Sequence, residues 1–227
     1  MKNESHLGFG SIGEKEDFRH QERWEDHEET ENGWRRKIPS LPISVSGAIL
    51  VICLAIYLLS LVAPSFVYGY LALNPAYLWQ RPWTIVTYMF VHASFDHLFW
   101  NMLFLFFFGI ELERRAGEKT FLVIFLLSGI LAALVQILVF PSILVGASGA
   151  LYGVMGCLAI IAPEIRVLIF FVIPLSIRAA IILFALVEFL SFGAADNIAH
   201  MAHFAGLLVG LTFGYAMRKQ PKYNYNI

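Results

Sequence analysis

Long apolar stretches without charged residues constrain the fold of this chain more than any other feature. Residues 43–63 contain no Asp, Glu, Lys or Arg, and another charge-free run extends from Thr120 to Pro163. A helix over 43–63 covers the roughly 30 Å hydrocarbon core of a bilayer. Hydrophobic residues make up 58% of the chain, charged residues 15%, and the mean hydropathy is +0.67. This composition excludes an ordinary soluble globule and predicts an all-α polytopic membrane protein.

The apolar stretches predict six membrane-spanning helices in one bundle. Ser94 is a favourable N-cap with Asp96 in the first turn, and Pro141 and Pro163 end apolar runs. The fourth predicted span is short, because 148–162 rises only about 22 Å, so its amino end should lie below the membrane surface. The predicted spans are 43–63, 94–112, 121–140, 148–162, 175–192 and 198–217.

Charge divides the chain into a tail and a membrane domain. Residues 1–32 hold ten of the 17 acidic residues but only four of the 16 basic ones. We therefore predict a disordered acidic cytoplasmic tail over 1–38, a membrane domain over 39–219 and a short cytoplasmic tail over 220–227. The connector 64–93 is rich in Pro, Tyr and Trp, and we expect it to be structured and partly embedded in the membrane.

The basic residues orient the predicted spans. Eleven of them flank one set of span ends, and only Arg81 flanks the other. The positive-inside rule then predicts that both termini are cytoplasmic. The second, fourth and sixth spans enter from the extracytoplasmic side, so polar side chains near their amino ends should meet in one site that opens to that side. These side chains are His92, His97, Asn101, Ser148, His200 and His203.

Ser148 and His203 are a candidate nucleophile and base. Ser148 is flanked by small residues in a charge-free run, and polar groups at membrane depth are usually functional. A serine becomes nucleophilic when a nearby imidazole takes its proton, and the resulting oxyanion needs fixed donors. His97 and Asn101 are four residues apart and share a helix face, where they could donate. The backbone N–H of Ser148, at a helix start, is a further candidate donor.

Glycines are placed where two spans could approach closely. Gly206 and Gly210 form a Gly-x-x-x-Gly pair in the sixth span, and Gly149 and Gly153 lie in the fourth. Such spacing allows close backbone packing between membrane helices. We expect this packing to bring the serine and the histidine together.

Four sequence blocks follow one another in a fixed order: 92–101, 113–117, 146–153 and 202–210. With the six spans, they make residues 40–217 resemble the rhomboid intramembrane serine proteases. The resemblance implies a Ser148/His203 dyad without a third acid, with His97 and Asn101 in the oxyanion hole. It also implies that Tyr152 stacks on His203, with Gly146 in the same block, that the connector is a membrane-embedded cap and that the fifth span is a lateral gate.

The predicted function is hydrolysis of a peptide bond in or next to a transmembrane segment of a membrane protein substrate. We expect no cofactor and no metal, a lipid bilayer as surroundings, and no nucleic-acid partner; the oligomeric state stays open. His200 is a rival base, but only His203 has the following Ala-Gly and Gly-x-x-x-Gly context. His92 is expected to support the loop by hydrogen bonding. Glu188 is ionisable at membrane depth, and we leave it outside the site.

Three other classes compete with this prediction. A catalytically inactive rhomboid-like protein that binds client helices would share the fold, but its expected signature is loss of the serine or the histidine. A metal-dependent enzyme could use several histidines, yet the chain has no His-Glu-x-x-His motif. A small transporter should show internal repeats, and the sequence has no convincing repeat.

Overall fold

The structure of the protein is a computed structural model that describes residues 44–169, 172–191 and 199–218. The predicted tails, 1–38 and 220–227, lie outside the described residues. A two-stranded antiparallel hairpin, β1 (Arg166–Ile169) and β2 (Ile173–Ser176), accompanies the helices. The α-helices are α1 (Val45–Val62), α2 (Pro64–Tyr70), α3 (Thr84–Thr87), α4 (Phe95–Phe104), α5 (Ile110–Ala116), α6 (Glu118–Val139), α7 (Ser148–Ile161), α8 (Ile177–Leu190) and α9 (His200–Arg218).

Three helices in the described part of the chain are long and apolar enough to cross a membrane: Val45–Val62, Phe95–Ala116 and Glu118–Val139. The second of these consists of α4 and α5, joined by a π-helical segment over Leu105–Gly109. They match the first three predicted spans. The apolar helix α7 has only 14 residues, which agrees with the predicted short fourth span. Helices α8 and α9 lie at the predicted fifth and sixth positions, and the six-span topology stays a prediction.

A distant carboxylate fixes the amino end of α1. The buried Glu113 accepts hydrogen bonds from the backbone N–H groups of Val45 and Ser46, both at 2.8 Å, and from the Ser46 hydroxyl. The first N–H groups of a helix lack intrahelical acceptors, and negative charge is favourable there. Glu113 therefore ties α5 to α1. Its neighbour Arg115 pairs instead with Glu111 and Glu164.

The connector 64–93 is structured, as predicted. It contains α2, α3 and two short 3₁₀ turns. The guanidinium of Arg81 lies 4.5 Å from the ring centre of Tyr70 and donates to the carbonyl oxygen of Gly69. The Trp83 indole N–H donates to the Tyr70 carbonyl oxygen at 2.8 Å. These contacts join the end of α2 to the segment just before α3.

The hairpin β1–β2 corrects the expectation of a purely helical chain. The sequence predicts a fifth span from residue 175 and no strand before it. In the structure Val167 pairs with Leu175 and Leu168 with Pro174. The β-branched side chains favour a strand, and a two-stranded sheet consists only of edge strands, where proline is tolerated. The fifth helix begins at Ile177, with Ser176 as its N-cap.

Helix α9 packs directly on the backbone of α7. A Cβ added to Gly206 would overlap the carbonyl oxygen of Gly149, and one added to Gly210 would overlap the carbonyl oxygen of Gly153. The glycines thus let the two helices approach more closely than any side chain would allow. This approach brings the beginning of α7 beside the first turn of α9.

Candidate active site

Ser148 is the first residue of α7, and the loop before it is held from two sides. Gly146 has φ 107°, a conformation that favours glycine, and its N–H donates to the carbonyl oxygen of Tyr88 at 2.9 Å. Two backbone hydrogen bonds join Leu144 to Leu73 in the connector. The Ser148 N–H belongs to the first turn, where helix geometry provides no acceptor. The serine therefore presents a hydroxyl and a backbone donor on a fixed turn.

His203 is the partner of this hydroxyl. Its Nε2 lies 2.6 Å from Ser148 Oγ, and its side chain is only 12% exposed. The Tyr152 ring stacks on the imidazole with a centroid separation of 4.6 Å and an interplanar angle of 7°. The stacking fixes the plane of the imidazole, so that one nitrogen faces the serine.

The other nitrogen of His203 faces a carboxylate. Its Nδ1 lies 2.9 Å from Glu188 Oε1, which also accepts a hydrogen bond from the Tyr152 hydroxyl at 2.5 Å. His200 Nδ1 lies 2.5 Å from the second oxygen of Glu188. The expectation that Glu188 lies outside the site is therefore wrong. The structure also departs from the expectation of a dyad without a third acid near the histidine.

A signal for Glu188 was present in the sequence. In the predicted topology the fifth span runs towards the side from which the fourth and sixth spans begin, which predicts that its carboxyl end approaches their amino ends. Glu188 is two residues from the end of α8 and is 5% exposed. An acidic residue at that end of an apolar helix needs a polar partner, and the nearby histidines provide it.

His97 and Asn101 lie on successive turns of α4, as predicted. The His97 ring lies directly against Gly146, where an added Cβ would be 2.5 Å from Nε2. Asn101 donates one amide N–H to the carbonyl oxygen of His97 at 2.8 Å, which leaves its second N–H for another acceptor. Both side chains thus lie close to the turn that carries Ser148.

His92 supports the loop in a different way from the one predicted. Its ring is fully buried and makes no side-chain hydrogen bond within the described residues. It packs edge-on against His97 at 5.1 Å between ring centroids. Its backbone oxygen takes part in a loop contact, accepting from the Tyr68 hydroxyl at 3.2 Å. Burial lowers the pKa of His92 to about 3, so the ring is neutral near pH 7.

Gln136 on α6 is a positioning residue that the sequence analysis missed. Its Oε1 accepts from the backbone N–H of Ala202 at 3.2 Å, and its Nε2 donates to the Phe140 carbonyl oxygen at 3.1 Å. It therefore binds a free N–H in the first turn of α9, one residue before His203. Gln136 is a polar residue in an otherwise apolar stretch of α6, and this was the sequence feature that could have identified it.

An open cavity of about 170 Å³ adjoins the serine. Most of its wall is apolar, and Asn101 and Ser148 provide polar groups. A cavity of this size can hold a small apolar group. The lining residues are Trp100, Asn101, Phe104, Ser148, Leu151, Tyr152, Met155 and Phe184.

Fold and site together define a class: a helical membrane protein that pairs a serine at a helix start with a histidine on a closely packed neighbouring helix. The Rhomboid domain model matches residues 80–220 of the chain. The chain belongs to the rhomboid family, and it is a multi-pass integral membrane protein.

Named relatives include proteases. The chain is 34% identical to RHOMBOID-like protein 6, mitochondrial, of Arabidopsis thaliana, over 63% of this chain and 46% of the relative. It is 32% identical to Rhomboid-like protease 3 of Toxoplasma gondii, over 67% and 59% of the two chains. It is 33% identical to Rhomboid protease GluP of Bacillus subtilis, over 62% and 27%. The chain spans about half the length of the curated relatives it matches first.

Proposed function

We propose that the protein is an intramembrane serine endopeptidase that hydrolyses a peptide bond in or next to a transmembrane segment of its substrates. The observation that carries this proposal is the 2.6 Å separation between Ser148 Oγ and His203 Nε2. This distance lies within the range needed for a base to take the serine proton. Two relatives are named as proteases, which supports the same activity.

The reaction divides into two steps at one serine. Ser148 Oγ attacks the scissile carbonyl carbon while its proton moves to His203 Nε2, and a tetrahedral oxyanion forms. When the intermediate collapses, the C–N bond breaks, the leaving amine takes the proton from His203, and an acyl-enzyme remains. His203 then takes a proton from a water molecule that attacks the ester carbonyl carbon. The C–Oγ bond breaks, Ser148 Oγ takes the proton back from His203, and the new carboxyl group is released.

The oxyanion needs donors that are in place before the reaction. The Ser148 N–H lies in the first turn of α7, where helix geometry provides no acceptor, and Asn101 lines the same cavity and donates one of its two amide N–H groups to His97. His97 stands against Gly146, two residues before the nucleophile. We assign all three to the oxyanion site. Loss of one such donor typically lowers kcat by about 10² to 10³.

The membrane arrangement is part of the proposal. Helices α1, α4–α5, α6, α7, α8 and α9 form six spans, with both termini in the cytoplasm and the site open to the extracytoplasmic side. The uneven distribution of basic residues supports this orientation. The short α7 then begins beneath the membrane surface. The expected partners are transmembrane protein substrates that enter from the lipid.

Cleavage of a model single-span substrate by the purified protein in liposomes tests the activity. Ser148→Ala and His203→Ala should each abolish cleavage while the protein still inserts. Ser60→Ala is a matched control, because its hydroxyl donates to the Tyr57 carbonyl oxygen of its own helix, α1; it should cleave at the wild-type rate. Undiminished cleavage by Ser148→Ala overturns the proposed mechanism. Substrate binding without cleavage by the wild type identifies an inactive, client-binding protein.

A further inference from the structure

Glu188 joins the three helices that form the site. It lies on α8, and its carboxylate contacts Tyr152 on α7 and both His200 and His203 on α9. The side chain is 7% exposed. A carboxylate this buried is costly unless each oxygen is bonded, and here each oxygen has a polar partner.

The contact with His203 has a defined chemical consequence. An ionised carboxylate only accepts hydrogen bonds, so the Nδ1 that faces Glu188 must carry the proton. In a neutral imidazole the other nitrogen, Nε2, then holds the lone pair, and this nitrogen faces Ser148 Oγ at 2.6 Å. Glu188 therefore selects the tautomer in which His203 acts as a base.

The same contact acts later in the reaction. When His203 takes the serine proton it becomes an imidazolium, and the buried carboxylate at 2.9 Å stabilises that charge. Serine hydrolases with a Ser-His-Asp triad use a buried carboxylate in this way to orient and stabilise their histidine. Here the carboxylate comes from a different helix than either the nucleophile or the base.

We propose that Glu188 is a positioning residue that completes a Ser148–His203–Glu188 triad. Its carboxylate keeps Nδ1 of His203 protonated, so that Nε2 is free to accept the serine proton. This inference rests on the proposed function. Glu188 acts through His203 and does not touch the substrate. Its bonds to Tyr152 and His200 fix the carboxylate in turn.

Steady-state cleavage by Glu188→Gln tests the role of Glu188 in this triad. Glutamine keeps the size of the side chain but removes the charge, so kcat should fall by about 10² to 10⁴ while KM changes by less than roughly threefold. Val187→Ala is the matched control, because Val187 is the preceding residue of α8 and is 50% exposed; it should keep the wild-type kcat. A kcat loss below about tenfold for Glu188→Gln, or a change confined to KM, overturns the inference.

A spectroscopic measurement on the unmodified protein decides the geometry without any variant at Glu188. Histidine side chains labelled with ¹⁵N report which ring nitrogen carries the proton, and the signals of His203 are identified by their loss in His203→Gln. Nδ1 should be protonated and Nε2 unprotonated; the opposite tautomer overturns the inference. If this tautomer is found but neither cleavage nor serine labelling occurs, the proposed function fails while the Glu188–His203 arrangement stands.

Discussion

Gly146→Ala tests the link between the turn before Ser148 and the oxyanion donors. An alanine Cβ at this position would lie 2.5 Å from His97 Nε2 and 2.6 Å from Cε1. Ordinary van der Waals contact begins at 3.4 Å, so the ring must move by about 0.9 Å. A displacement of about 1 Å in a catalytic group can cost roughly 10² in rate. We therefore expect kcat to fall by about that factor.

Gly117→Ala provides the control for this prediction. Gly117 also has positive φ, 83°, but nothing lies within 4 Å of its added Cβ. Both substitutions should cost about 1–3 kcal/mol of folding free energy from backbone strain, and only Gly146→Ala should impair cleavage. The assay measures kcat on a single-span substrate in liposomes, together with the free energy of unfolding of each variant. Equal kcat values for the two variants refute the assignment of His97 to the oxyanion site.

Three further predictions concern stability, packing and metals. Glu113→Ala leaves backbone donors at the start of α1 unpaired and should lower the free energy of unfolding by about 2–4 kcal/mol. Glu164→Ala removes an exposed acid that pairs with Arg115 and should cost less than about 1 kcal/mol; equal losses contradict the capping role. Gly210→Ala must push α9 away from the Gly153 backbone and should reduce kcat, whereas the Cβ of Gly69→Ala enters open space and should leave kcat unchanged. A fully active Gly210→Ala contradicts the requirement for close packing of α7 and α9. Incubation with EDTA should leave the cleavage rate unchanged, since the proposed chemistry uses only side chains and water; loss of activity that Zn²⁺ restores indicates a metal enzyme.

The sequence predicted the helices best where the length of an apolar run and the pattern of charges define them. The start of the short helix at Ser148 follows from the surrounding glycines and the charge-free run, and the structure begins α7 at that residue. The apolar lengths gave the first three long helices to within a few residues. The closeness of Ser148 and His203 could be predicted, because small residues on both helices permit backbone contact.

The missed features depend on contacts between distant segments. Glu188 is 15 residues before His203, and nothing local shows whether its carboxylate faces lipid, water or an imidazole. Gln136 likewise acts 66 residues away, on the first turn of α9. The hairpin at 166–176 was obscured because a short apolar run is compatible with either a strand or a buried helix.

The most direct test of the account is to locate the reactive residue by mass spectrometry after treatment with a serine-directed phosphonate. A phosphonate bonds only to a serine that a neighbouring base has activated. We predict a single modified peptide that contains Ser148, and no modification in His203→Ala. Modification of a different serine, or equal modification with and without His203, contradicts the account.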